Sequence, residues 1–185
     1  CEAAVTLHPQ VKDKLDQIER IEITTHESAI RIISKQGELA NPADRDHCLQ
    51  YMTAVPLICG ELTADHYEDD FHQANPLIDT LREKMVVSED KRYSEEYHQP
   101  DKRSIANAVQ VFFNDGSATD KVEVEYPIGH RRRREEGFKV LEQKFENNLR
   151  TRFARQRVEQ IMRLYRDPQQ LVNTPVNQFM DLLVT

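Results

Sequence analysis

Tryptophan is absent from this chain, and glycine and cysteine are scarce, at five and three residues. So few glycines, none in a phosphate-cradling pattern, exclude a Gly-rich nucleotide loop; no nucleophile elbow is present either. The cysteines, Cys1, Cys48 and Cys59, are odd in number and lack metal-ligand spacing. They exclude a disulfide framework and a Cys-x-x-Cys redox pair, and they read as reduced thiols of a cytosolic protein. No apolar run approaches the about 18 residues that a membrane span needs. The first residues, Cys1-Glu2-Ala3-Ala4-Val5, carry neither the basic nor the long apolar region of a signal peptide. There is also no initiator Met, while Ala3, Ala4, Leu7, Val11, Leu15 and Ile18 already repeat at helical spacing. The chain is therefore expected to open part-way along a helix, as a piece of something longer.

What is present fits a globular protein. Of 185 residues, 38% are hydrophobic and 31% charged, enough for one domain with a core, or a domain with an appendage. The charge is uneven. His130 to Arg166 holds 12 Lys and Arg against 5 Asp and Glu, a net +7, which leaves −14 on the rest of a chain whose total is −7. A basic patch on an acidic body suits an anionic ligand or a pairing surface inside the fold.

The hydrophobic pattern predicts a helix over 2–17 strained at Pro9, a half-buried strand at Arg20–Thr24, and a helix or strand at Ser28–Ser34. Asn41-Pro42 is a cap followed by a first-turn proline, and the helix it starts is expected to run to Cys59 and stop at Gly60, bent at Pro56. Thr63 should cap a short turn through Tyr67, and Asn75-Pro76 should open a helix with Leu77, Ile78, Leu81 and Met85 as its stripe. Polar Ser88–Lys102 reads as a loop. Ile105, Val109, Val111 and Phe113, then Asn114-Asp115-Gly116, then Val122, Val124 and Tyr126 predict a β-hairpin. Beyond Pro127 the period turns helical, with stripes at Phe138, Leu141, Phe145 and Leu149, then Val158, Ile161, Met162 and Tyr165, and a last helix after Thr174-Pro175. The expected fold class is α+β: a small antiparallel sheet with helices packed on it.

Three clusters could carry chemistry. On a single helix, Asp44, His47, Cys48 and Tyr51 would share one face at i, i+3, i+4 and i+7, where imidazole, thiol and phenol could hold a carboxylate. The plain alternative is a capped helix with Cys48 in the core and His47 merely hydrogen-bonded. His130 followed by Arg131, Arg132, Arg133 and Arg134 offers planar donor forks for carboxylates or phosphates, or else a solvated, ion-paired face. Asp65-His66-Tyr67-Glu68-Asp69-Asp70-Phe71-His72 crowds possible metal ligands but reads better as an acidic exposed turn. Nucleic acid is a poor partner for such an acidic chain with no aromatics among its arginines.

Beside these readings stands a resemblance. Thr25–Ile33, Asn41–Tyr51 with its Asp-Arg-Asp-His-Cys-Leu-Gln-Tyr, Val124–Arg131 with its Tyr-Pro-Ile-Gly-His-Arg, and Pro175–Leu182 resemble the C-terminal portion of the 2-methylcitrate dehydratase branch of the MmgE/PrpD family. The likeness runs along the whole chain. It implies a lid domain over residues 1–140, and, over 141–185, helices that return to a larger N-terminal helical domain absent from this chain. Phe145, Leu149, Ile161 and Leu182 would then be exposed or satisfied by self-association. The implied reaction is cofactor-free loss of water from 2-methylcitrate in propionate breakdown, with the main acid and base groups upstream of this chain, in the cytoplasm, and with no metal. Tyr51 matches a tyrosine lining the family's pocket, and Cys48 stands where relatives often have Ser. His47, Arg45, His130, Arg131 and Arg132 are the inferred contacts to the tricarboxylate. A homodimer is a further expectation. The other readings are another di- or tricarboxylate lyase or isomerase, and a non-catalytic anion- or nucleic-acid-binding module.

Overall fold

The computed structural model describes residues 1–184 and divides into two compact units, Cys1–Pro127 and Ile128–Thr185. In the first, helix α1 (Glu2–Val11) leads through a 3₁₀ turn at Leu15–Gln17 into strand β1 (Ile18–Thr25). Ile21 and Ile23 of β1 face the core while Arg20, Glu22 and Thr24 face outward. Its alternation follows from the two-residue period of a strand buried on one side.

The hairpin forms where the sequence predicts it, with Ile105 and Tyr126 falling just outside its strands. Strand β3 (Asn107–Phe113) pairs antiparallel with β1, setting Val111 against Ile21 and Val109 against Ile23, and β4 (Val122–Val124) pairs antiparallel with β3. One strand was not expected. Met85–Glu89 is β2, lying parallel to β1, so the sheet is mixed, in the order β2-β1-β3-β4. The polar stretch after it is also no loop: Lys91–His98 forms a helix with Tyr93 and Glu96 buried.

Helix α2 (Glu27–Ile33) follows β1. Residues 42–59 are not one helix. They form α3 (Pro42–Asp46) and α4 (Tyr51–Cys59), with Pro56 inside α4 and Gly60 ending it at φ 77°. Thr63 and His66 cap the 3₁₀ turn Ala64–Tyr67 reciprocally, and α5 (Asp69–Ala74), α6 (Leu77–Glu83) and α7 (Lys91–His98) complete the unit. Leu7 and Val11 of α1, Tyr51 and Val55 of α4, Ile78 and Leu81 of α6, and the inner face of the sheet make one core. Burying each large aliphatic side chain in it is worth about 1.5–3 kcal/mol.

The second unit holds α8 (Arg134–Arg150), α9 (Arg155–Arg166), α10 (Pro168–Asn173) and α11 (Val176–Asp181). Residue 140, the expected domain boundary, lies inside α8. Leu149 and Ile161, expected to be exposed or covered by self-association, are instead buried within this unit. They pack with Val158 and Met162 into a small core that Phe145 and Leu182 flank. Other apolar residues are exposed, among them Phe138, Val140, Leu141, Val172, Val176 and Met180. No helix among the described residues is long and apolar enough to cross a membrane.

Candidate functional site

The site begins where the expected helix breaks. Asn41 Oδ1 accepts the Asp44 N–H at 3.0 Å, and Pro42 takes the first turn, so α3 starts as its cap dictates. His47, at φ −109° and ψ 31°, leaves the helical conformation. The next residues bond to α2 instead. Leu49 N donates to Ile33 O at 2.7 Å. The Gln50 amide donates to Ser34 Oγ at 2.9 Å and accepts from Lys35 N at 3.1 Å. These tertiary bonds replace helical ones over residues 47–50, and α4 restarts at Tyr51.

The stripe Asp44–His47–Cys48–Tyr51 is therefore not formed. His47 is exposed, its Nδ1 against its neighbour Asp46. Cys48 is fully buried, its Sγ 3.7 Å from Lys35 O and 3.6 Å from Gln50 Oε1. Tyr51 is fully buried too; its hydroxyl donates to His66 O at 2.7 Å and its ring meets His72 edge-on. Burial pushes the Tyr51 phenol up to about 12, the Arg45 charge opposing part of the shift.

Arg45 is only 2% exposed and directs its guanidinium inward. Nε donates to Tyr67 O at 2.7 Å, Nη1 to Leu39 O at 3.4 Å, and Nη2 pairs with Asp69. Nη1 also meets His72 Nδ1 at 3.4 Å. A guanidinium has only donors, so His72 Nδ1 accepts and its Nε2–H donates to Asp79 Oδ2 at 3.0 Å. The other Asp79 oxygen holds Arg82, whose Nη2 donates to Gly37 O at 2.8 Å. Two buried arginines, joined through His72 and Asp79, thus grip two carbonyls of the loop after α2. His72, expected in an exposed acidic turn, is in fact drawn inward.

Beside this chain of groups lies a cleft of about 520 Å³ lined by Lys35, Leu39, Gln50, His72, Asp79 and Arg82, among others. Its size is that of small-molecule sites. Gln50 belongs to the Asp-Arg-Asp-His-Cys-Leu-Gln-Tyr motif, but Lys35, Asp79 and Arg82 stand in no motif; only their spatial convergence marks them.

The arginine run belongs to the second unit. His130 Nδ1 accepts the Arg132 N–H at 3.2 Å and so caps the 3₁₀ turn Arg131–Arg133. Arg131 and Arg132 are exposed, and Arg133 pairs with Glu136 at 2.9 Å. The structure thus brings Arg45, Cys48 and Tyr51 together in one unit, and His130, Arg131 and Arg132 together in the other.

One further imidazole is buried. His26 caps α2, its Nδ1 accepting the Ala29 N–H at 3.2 Å, and its ring stacks on Tyr97 at 4.6 Å between centroids. Burial holds its pKa below the ordinary value, and His98 adds to the depression.

The sequence pattern of the MmgE/PrpD C-terminal domain matches residues 1–167. This chain belongs to the MmgE/PrpD family. Within that family it is 53% identical, over its full length, to the mitochondrial 2-methylcitrate dehydratase of Yarrowia lipolytica, covering 35% of that protein. It is 48% identical to the 2-methylcitrate dehydratase of Salmonella typhimurium and 47% identical to that of Escherichia coli K12, each over 99% of this chain and 38% of the relative. The chain thus spans somewhat over a third of the length of these MmgE/PrpD relatives, and the resemblance carried by its Asp-Arg-Asp-His-Cys and Tyr-Pro-Ile-Gly-His-Arg motifs is shown.

Proposed function

We propose that this chain is the C-terminal portion of a 2-methylcitrate dehydratase, a hydro-lyase that takes water from 2-methylcitrate to give 2-methyl-cis-aconitate in propionate breakdown. One observation carries the reading: 47–53% identity over 99–100% of the chain to proteins of that name. The chemistry asks for a base to remove a proton beside a carboxylate, an acid to help the hydroxyl leave, and fixed donors for the charge that develops. In this reading the base and acid lie in an N-terminal helical domain, and this chain supplies a lid, residues 1–140, and returning helices, residues 141–185. The exposed Leu141, Val172, Val176 and Met180 support a docked partner for the returning helices.

Tyr51 enters as a pocket residue through its place in the Gln50-Tyr51 pair. It would meet substrate by exchanging its bond to His66 O. Arg45 and Cys48 act from inside the protein, as supports; His47, Arg131 and Arg132 are the exposed groups able to meet a carboxylate directly. The compartment is the cytoplasm in this reading, with mitochondria, which the name of the Yarrowia protein gives for that relative, as the alternative.

The full-length protein, assayed with chelator present, is expected to form 2-methyl-cis-aconitate, followed by the absorbance of its conjugated double bond. Tyr51→Phe should turn over more slowly, and the isolated 185-residue chain not at all. A folded full-length protein without turnover refutes the proposal.

A further inference from the structure

The nitrogen-bearing side chains that line the cleft differ in how firmly they are held. Arg82, with a side chain 7% exposed, is committed through Nη1 to Asp79 and through Nη2 to Gly37 O. His72 is committed to Asp79 and Arg45. Lys35 is different. Its ammonium has one partner, Asp44, at 3.4 Å, and the two side chains are 34% and 39% exposed. Such a half-exposed pair contributes little and is readily exchanged.

The backbone beneath that loose ammonium is fixed. Lys35 N donates to Gln50 Oε1 at 3.1 Å, the Cys48 thiol donates to Lys35 O at 3.7 Å, and the Gln50 amide also holds Ser34 Oγ. Farther along the loop, Arg82 holds Gly37 O and Arg45 holds Leu39 O. A side-chain head with an exchangeable partner on a pinned backbone is how a ligand-binding lysine is pre-organised. The wall beside it holds an unspent donor as well: Arg82 Nε is buried and has no hydrogen-bond acceptor.

We infer that Lys35 is a substrate-binding residue, receiving one carboxylate arm of the tricarboxylate in the cleft between the loop after α2 and helix α6, with Arg82 and Gln50 as its positioning residues. This rests on the dehydratase reading and deepens it. The remaining charges of the cleft say why one arm only. Asp79 is already paired with Arg82 and hydrogen-bonded by His72, and Glu38 and Glu83 line the cleft as exposed groups. One exchangeable cation among carboxylates suits a single carboxylate attached to a chain, not a polyphosphate, and the buried apolar Leu39 and Met85 beside it suit the carbon skeleton.

The test uses the full-length protein. Lys35→Ala removes a charge-assisted hydrogen bond, for which KM for 2-methylcitrate should rise about tenfold to a hundredfold while kcat stays within about twofold. The inhibition constant of tricarballylate, a tricarboxylate with no hydroxyl to lose, should rise in parallel. Lys35→Arg should recover most of both. Because Lys35 is partly exposed, the thermal midpoint of Lys35→Ala should match wild type, which separates a binding defect from misfolding. Unchanged KM and inhibition constant in an active, folded Lys35→Ala protein overturn the inference and leave the dehydratase reading standing. If the wild-type protein shows no dehydration, calorimetry with tricarballylate decides separately: Lys35-dependent binding supports the cleft although the reaction is wrong, and no binding to folded wild type overturns it.

Discussion

Replacing Arg45 by methionine tests whether this arginine supports the fold. Methionine keeps the length and much of the volume of the stem and removes every donor. A part-buried carbonyl, Tyr67 O, and a buried one, Leu39 O, then lose this partner. The bond from Nε to Tyr67 O is short, 2.7 Å, and the one from Nη1 to Leu39 O is long, 3.4 Å. A lost hydrogen bond from a charged group costs about 1.5–3 kcal/mol, and a stranded buried acceptor about 1–3 kcal/mol. The Asp69 side chain is 59% exposed, so its carboxylate returns to water cheaply. The sum is about 2.5–6 kcal/mol, which brackets the about 3–5 kcal/mol usual for removing one partner from a buried charged network. With stabilities of about 5–15 kcal/mol, that is a large fraction. The chain has no Trp, so urea unfolding would be followed by far-ultraviolet circular dichroism, where the midpoint should fall by more than about 1 M. Asp69→Asn serves as the second arm and should cost less than about 1 kcal/mol. An Arg45→Met midpoint equal to wild type refutes the support role. So does an Asp69→Asn loss as large as that of Arg45→Met, since the exposed ion pair would then outweigh the carbonyl anchors.

Two other perturbations follow from local geometry. Gly60→Ala puts a Cβ at φ 77° and 2.8 Å from His8 Cδ2, in a ring held by a 3.0 Å bond to Leu57 O; it should cost about 1–3 kcal/mol, and His8→Ala in the same chain should restore the steric part, read as melting temperatures. His26, depressed below its ordinary pKa of 6.5 by burial and by His98, binds fewer protons folded than unfolded. Its contribution is therefore complete above about 6.5 and is lost as pH falls through the folded value. His26→Asn keeps a capping side chain without the titration, and its melting temperature should fall less than wild type between about pH 7.5 and pH 5; an equal fall in both would show that His26 is not responsible.

Much of the fold was legible because its signals are local. The alternation in β1 and β3, the Asn114-Asp115-Gly116 turn and the cap-plus-proline at Asn41-Pro42 each state their structure within a few residues. The elements that escaped have weak local signals. β2 is an edge strand with only Met85 buried, and its other side chains face water or lie part-buried. α7 buries two of eight residues, Tyr93 and Glu96, and is otherwise polar, so its composition resembles that of a loop. Leu149 and Ile161, for which exposure or self-association was expected, are covered by each other's stripes on α8 and α9. Nothing in a helical period says which of two faces will be used locally and which will be left exposed.

The candidate site was hidden for a stronger reason. Asn41-Pro42 marks a beginning and Gly60 marks an end, and no residue between them breaks a helix before Pro56. The break at 47–50 is imposed from elsewhere in the chain, by Ile33 O and by the Ser34 and Lys35 groups that the Gln50 amide satisfies. Those bonds have a second effect. By ending α3 early they let Arg45 turn inward to Tyr67 and Leu39, and by engaging Gln50 they pin the backbone of Lys35 at the cleft. The motif that carries the family resemblance is thus a scaffold for a residue outside the motif. A carboxylate contact assigned from the motif alone falls on Arg45, whose donors face the interior; the exchangeable cation stands ten residues earlier, in a loop that carries no signature of its own.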